Sequence, residues 1–374
     1  MARLGDICTI VSGSTPKSNI PEYWDGDVKW ITPAELSENS YFITDSVRHI
    51  TDLGVAKTGL KPFPKGTVIL SSRAPIGKTA IAGCEMYCNQ GFKNLICSDK
   101  IDPRYLYWFL TCNTEYLNSL GRGATFKEIS KEIVSNIEIP LPPMETQIAI
   151  VEKFEKSREL IFLRKQQLAK LDELVKARFV ELFGDKGYPE DSLLNLCNII
   201  DYRGKTPEKV ESGLPFITAK NVKMHQMNLE PREYISKETY DKVMVRGFPK
   251  EGDVVFTTEA PLGNVCRIPH FDTEFYIGQR IVTLQTEKLE PIYLEYALSS
   301  DDFKTKYMGK SSGSTVTGIR VRLLEQLTIP VPPRELQEQF AAFVEQTDKS
   351  KLTIQQSLDK LETLKKSLMQ KYFG

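Results

Sequence analysis

Long apolar runs, clustered histidines and closely spaced cysteines are all missing from this sequence, and each gap removes a class of protein. No apolar stretch approaches the roughly 18 residues a spanning helix needs, and the N-terminal MARLGDICTIVSGS has no signal-peptide core, so a cytoplasmic protein without membrane contact is expected. The seven cysteines are too few and scattered for a disulfide framework, and the closest pair, Cys84 and Cys88, is not C-x-x-C. The three histidines, His49, His225 and His270, offer no zinc-ligand spacing, so no metal is expected. Net charge is zero, which argues against gripping nucleic acid by bulk electrostatics.

Catalytic signatures are missing too. There is no G-x-S-x-G elbow, no H-E-x-x-H and no Asn-Pro-Pro-aromatic methyltransferase motif. Ser72-Arg-Ala-Pro-Ile-Gly-Lys-Thr79 resembles a phosphate-binding P-loop, but serine replaces its first glycine and a β-type run follows where a helix is required. Its counterpart Thr258-Glu-Ala-Pro-Leu-Gly-Asn-Val265 has lost the lysine, so both read as hairpin turns.

What is present is periodicity. From Glu145 to Phe183 there is no Gly or Pro, and Phe154, Ile161, Leu168, Val175 and Leu182 recur every seven residues. Such a narrow apolar seam wants one partner helix. Glu335 to Phe373 supplies it with Phe340, Ile354, Leu361 and Leu368, the row being broken by Thr347. Ile139-Pro-Leu-Pro-Pro143 leads into the first segment and Ile329-Pro-Val-Pro-Pro333 into the second, 190 positions later.

The intervening stretches repeat one another as well. Thr15-Pro16 answers to Thr206-Pro207, Trp30-Ile-Thr32 to Phe216-Ile-Thr218, and Gly66 to Gly77 answers to Gly252 to Gly263. Short runs such as 28–32, 67–71, 79–82 and 93–97 read as strands between Gly/Pro turns, and 103–120 reads as a helix. The expected class is α+β. Two similar mostly-β domains, 1–144 and 185–334, are separated by two long helices, 145–184 and 335–374, forming an antiparallel coiled coil in a pseudo-two-fold internal repeat. At about 1.5 Å per residue each helix would span ~58 Å.

Because the halves are each other's comparison, agreeing apolar, Gly and Pro positions read as scaffold. Polar positions that disagree are where two copies could do different jobs: Arg73 against Glu259, Lys78 against Asn264, Lys93 against Val282, Glu35 against Asn221. Lys57, Lys61, Lys65, Arg73, Lys78 and Lys93 share their window with one acid, Glu85, which suits either a phosphate-facing surface or a solvated face. Side chains that donate to phosphates and base edges crowd these loops. The candidates for DNA contact are Lys17, Thr32, Glu35, Ser72, Arg73, Lys78, Gln90 and Lys93 in the first half. In the second they are Arg203, Lys205, Lys220, Asn221, Thr258, Glu259, Asn264, Gln279 and Arg280. Two different readers would recognise a two-part, asymmetric sequence. A coiled-coil adaptor whose end domains bind proteins is the alternative.

Gly121-Arg-Gly-Ala-Thr125 and Ser312-Gly-Ser-Thr315, each followed by Ile-Pro-(Leu/Val)-Pro-Pro and a helix opening Glu-x-Gln, resemble the specificity subunit of bacterial type I restriction-modification enzymes. The Ser-Gly-Ser-Thr-Pro start and Trp30-Ile-Thr-Pro33 are similar to that family's target-recognition domains, and the likeness runs through both halves. The resemblance implies a non-catalytic DNA sequence-recognition subunit with no cofactor of its own. Its implied partners are double-stranded DNA, two methyltransferase subunits using S-adenosylmethionine to modify adenine, and restriction subunits using ATP and Mg.

Overall fold

In a computed structural model, which describes residues 1–37, 40–73, 75–123, 127–202, 207–311 and 317–374, the chain divides into two compact units. The first holds residues 1–166 and 355–374, the second residues 167–354. Both therefore contain a stretch of each long helix, so the units cut across the four segments expected from the sequence. Each helical stretch packs on the β-rich part of its own unit.

In the first unit a five-stranded sheet has the order Cys8–Ser12, Lys93–Cys97, Val68–Leu70, Thr79–Ala82, Phe42–Ile43, antiparallel except for the last pairing. A three-stranded sheet orders Arg48–Ile50, Trp24–Ile31 and Tyr87–Cys88. The Ser72 turn joins Val68–Leu70 to its antiparallel neighbour Thr79–Ala82, a hairpin rather than a phosphate loop. A helix, Pro103–Cys112, carries a buried run from Tyr105 to Leu110; Asp102 caps it by accepting from the Arg104 N–H, and Pro103 fills its first turn. The sequence pattern suggests one helix through residue 120. Instead it breaks at Asn113, whose side-chain amide bonds the Phe109 carbonyl, and a second helix runs Thr114–Ser119.

The second unit repeats the plan. Its four-stranded sheet runs Asn198–Asp201, Ile281–Gln285, Val254–Thr257, Val265–Arg267, its three-stranded sheet Tyr234–Ile235, Leu214–Ile217, Tyr276–Ile277, and its helix is Pro291–Ser299. Where the first unit closes its large sheet with Phe42–Ile43, the second places a hairpin, Val222–Lys223 with Gln226–Met227.

The long helices run Met144–Phe183 and Arg334–Phe373. They are antiparallel in both units: Lys153 Nζ donates to Tyr372 Oη at 2.9 Å and Arg164 Nε to Ser357 Oγ at 3.2 Å in the first, and Lys351 Nζ lies 2.6 Å from Asp172 in the second. Along the seam Phe154, Val175 and Phe340 are buried, while Ile161, Leu168, Leu182, Ile354, Leu361 and Leu368 are half-buried. Leu182 and Leu368 also pack against the cores of their units, whereas Ile161, Leu168, Ile354 and Leu361 meet only the narrow seam and stay partly open to water.

One buried glutamine fastens each long helix. Gln147 Oε1 accepts from the Asp102 N–H at 3.0 Å, and its Nε2 donates to the Lys100 and Pro142 carbonyls at 3.0 and 2.9 Å. Gln337 does the same with the Glu290 N–H at 2.9 Å and the Pro332 carbonyl at 2.8 Å. This explains the Glu-x-Gln opening seen twice in the sequence. Gln147→Leu or Gln337→Leu keeps the volume but orphans buried groups, so each is expected to cost about 1–3 kcal/mol. Urea melts and faster amide exchange at Asp102 or Glu290 would register the loss; unchanged exchange would refute the assignment.

Candidate nucleic-acid interface

Ser72 and Arg73, the turn at 89–92, Arg122 and the stretch 127–129 share one edge of the first unit. Ser72 ties them together, its N–H donating to the Gly91 carbonyl at 2.8 Å while its carbonyl accepts from Ile129 at 2.9 Å. The loop at 13–17 joins through Thr15, whose hydroxyl donates to Gln90 Oε1 at 2.5 Å. The second unit builds the same edge: Thr258 N–H donates to the Arg280 carbonyl at 2.8 Å, and Ile319 N–H to the Thr258 carbonyl at 2.9 Å.

Several candidates turn out to be buried or to spend their polar atoms inside the fold. Ser72 and Thr258 are 0% and 2% exposed, held in place by that backbone knot. Asn221 is 1% exposed; its Oδ1 accepts from Thr218 N–H at 2.9 Å and its Nδ2 donates to Asn228 and Pro231 carbonyls. Glu35 accepts from Thr32 N–H at 2.7 Å and its hydroxyl at 2.9 Å. Glu35 and Asn221 therefore cap the same Thr turn, and the expectation that they do different jobs is corrected. Lys93 sits in the sheet with its amine 3.1 Å from Glu128 and 3.3 Å from Ser72 Oγ, while Val282, its counterpart, is core. Asn264 donates to the Val222 carbonyl at 2.8 Å, and so spends its amide inside the fold.

What faces solvent is a shorter set. Lys17, Arg73, Gln90, Lys220 and Arg280 are exposed; Thr32, Lys78, Glu259 and Gln279 are half-buried; Arg203 and Lys205 lie outside the described residues. The sequence reading missed Glu128, which accepts from Arg73 Nε at 2.9 Å as well as from Lys93. It also missed Arg122 and Lys127, both exposed beside Glu128. Partial burial works against the Glu128 charge, but the Lys93 and Arg73 hydrogen bonds outweigh it and hold the carboxyl below its ordinary range. The available signal was the repeat itself, since Gly318 stands where the first unit has Glu128.

Among the described residues no three His, Cys, Asp or Glu side chains gather as a metal site, and no helix is long and apolar enough to cross a membrane. The edges instead present arginine, lysine and glutamine, which donate to phosphates and base edges, and glutamate, which accepts from base edges.

Comparison with known proteins agrees with this geometry. The family described as the type I restriction modification DNA specificity domain matches twice, over residues 1–173 and 192–365. The chain is 26% identical to the type I restriction enzyme MjaIX specificity subunit of Methanocaldococcus jannaschii, across 99% of this chain and 91% of that one. In fold it is similar to a chain from a structural study of complex assembly and conformational transition of the type I R-M system, with a TM-score of 0.63 at 22% identity, covering 100% and 96% of the two chains. The S subunit of the type I restriction-modification system from M. genitalium is similar at a TM-score of 0.59 and 16% identity, covering 100% and 95%. With the domain matched in both halves and along most of its length, the chain belongs to the type I restriction-modification DNA specificity family.

Proposed function

We propose that each β-rich part reads one half of a bipartite, asymmetric DNA site, and that the helices set the gap between the halves while docking two methyltransferase subunits. The observation that carries this reading is the duplicated edge. One backbone frame is kept in both units, while the exposed polar side chains on it differ, Arg73 facing Glu128 in one and Glu259 facing Arg280 in the other. Docking is supported by large apolar side chains left in solvent along the helices, among them Phe162 and Leu163 in the first unit and Leu352 in the second.

The chain itself carries out no chemistry in this reading. S-adenosylmethionine, ATP and Mg belong to partner subunits, which methylate adenine and, where restriction subunits join, translocate and cut. Net charge zero fits a subunit whose partners share the grip on DNA. Co-expression with a type I methyltransferase subunit, followed by single-molecule mapping of adenine methylation across a genome, tests it. The expected result is a two-part motif with a fixed gap. A stable complex that methylates nothing, even with a second methyltransferase, would instead support a protein adaptor.

A further inference from the structure

The two edges share a device that their sequences hide. In the first unit Arg73 is held by its Nε, 2.9 Å from Glu128 Oε2. In the second Arg280 is held by its Nε, 3.0 Å from Glu259 Oε1. The side chains remain 47% and 55% exposed, and among the described residues no further partner takes the ends of either guanidinium.

The pairs are built from non-equivalent positions. Glu259 stands where the first unit has Arg73, and Arg280 stands where it has Gly91, since both Gly91 and Arg280 accept the bond from the buried Ser72 or Thr258 N–H. The arginine has thus changed places with its carboxylate, yet an arginine gripped at Nε survives on the edge of each unit. Arg280 occupies the left-handed region, φ 71°, which non-glycine residues seldom adopt. Glu128 is itself fixed from behind by the Lys93 amine, whose side chain is 8% exposed.

A guanidinium held at Nε presents its two terminal nitrogens as a fork of parallel donors, which matches guanine O6 and N7. The carboxylate removes rotamer freedom before binding and cancels part of the charge, which weakens attraction to phosphate and leaves base-edge geometry to decide. Resting on the DNA-reading function proposed above, we infer that Arg73 and Arg280 are the guanine-reading, specificity-determining residues of the two half-sites, with Glu128 and Glu259 as their positioning residues. Moving the arginine from one turn to another lets the same contact read a different position, so the two half-sites differ.

The test uses the full chain assembled with its methyltransferase, comparing motifs from the wild type, Arg73→Lys, Arg280→Lys and Glu128→Gln. Lysine keeps the charge but loses the fork. Arg73→Lys is expected to relax one guanine position in one half-site by about 5- to 100-fold while the other half stays intact, and Arg280→Lys does the converse. Glu128→Gln relaxes the same position as Arg73→Lys, which a merely structural role would not do. An unchanged motif, or a uniform fall in methylation at every site, overturns the assignment and marks an ordinary surface ion pair or a phosphate contact. For variants that fail to fold, wild-type complex on duplexes carrying 7-deazaguanine at each motif guanine decides: affinity drops at one position per half-site, or the inference fails. A wild-type complex with no bipartite motif would overturn the underlying function as well, which separates the two failures.

Discussion

Phe154→Ala is expected to destabilise the first unit by about 3–5 kcal/mol. Phe154 is 0% exposed and stacks between Trp108, at 4.8 Å and 20°, and Phe373, at 5.7 Å and 18°. Three elements meet on this ring: the first long helix, the last turn of the second, and the Pro103–Cys112 helix. Tyr105 and Phe109 reach Phe373 from the same helix at 5.2 and 5.8 Å, so the neighbours are already engaged and cannot collapse into the gap. In the second unit the corresponding position is Val344, and the ring lies one turn earlier in Phe340, which packs on Phe179, Phe183 and Tyr296. The chain's three tryptophans, Trp24, Trp30 and Trp108, all lie in the first unit, so their fluorescence during urea unfolding isolates this transition. A midpoint within error of the parent would mean that the helices are not held to the domain through this ring.

The parts of the structure legible in the sequence are those with local causes. A seven-residue apolar repeat without Gly or Pro makes a long helix whatever surrounds it, and a matching copy 190 positions on makes its partner. Hairpin turns at Gly77 and Gly263 follow from glycines at φ 95° and 91° between β-type runs. The helix break at Asn113 was not legible, because the apolar spacing continues through it and the stop is marked by Asn113's own backbone turn and its side-chain bond to Phe109. The candidate edge was legible in outline but not in detail. Whether Lys93, Asn221 or Thr258 faces water depends on which side of a strand or turn the register places it, and on partners far along the chain such as Glu128, 35 residues beyond Lys93. Comparing the two halves located the edge, yet it also flagged Glu35 and Asn221, where two different residues perform one capping task.

A different long-range partnership governs the second unit. Glu295 is 1% exposed, the one acid within an otherwise apolar helix face, and accepts from Arg267 Nε at 2.6 Å while contacting His225 Nδ1 at 2.8 Å. Arg267 reaches on to Asp348 at 3.6 Å, and Lys351 links Asp348 to Asp172, so the network joins the β-rich part to both long helices. Burial opposes the charge on Arg267, but Glu295 prevails and raises the guanidinium above its ordinary value. Glu295→Ala leaves that charge without its carboxylate and is expected to cost about 3–5 kcal/mol. In the first unit Tyr107 and Ile81 stand where the second has Glu295 and Arg267, and they are 3% and 1% exposed, so this pair of positions does not require charge. Combining Glu295→Tyr with Arg267→Ile should therefore recover more than half of the stability that Glu295→Ala loses, because neither half of the pair is left alone. Far-UV circular dichroism follows both units, and tryptophan fluorescence, confined to the first, identifies which part of the change belongs to the second. A Glu295→Ala protein within about 1 kcal/mol of the parent would show that water, rather than the carboxylate, satisfies Arg267, and that the network is a surface feature.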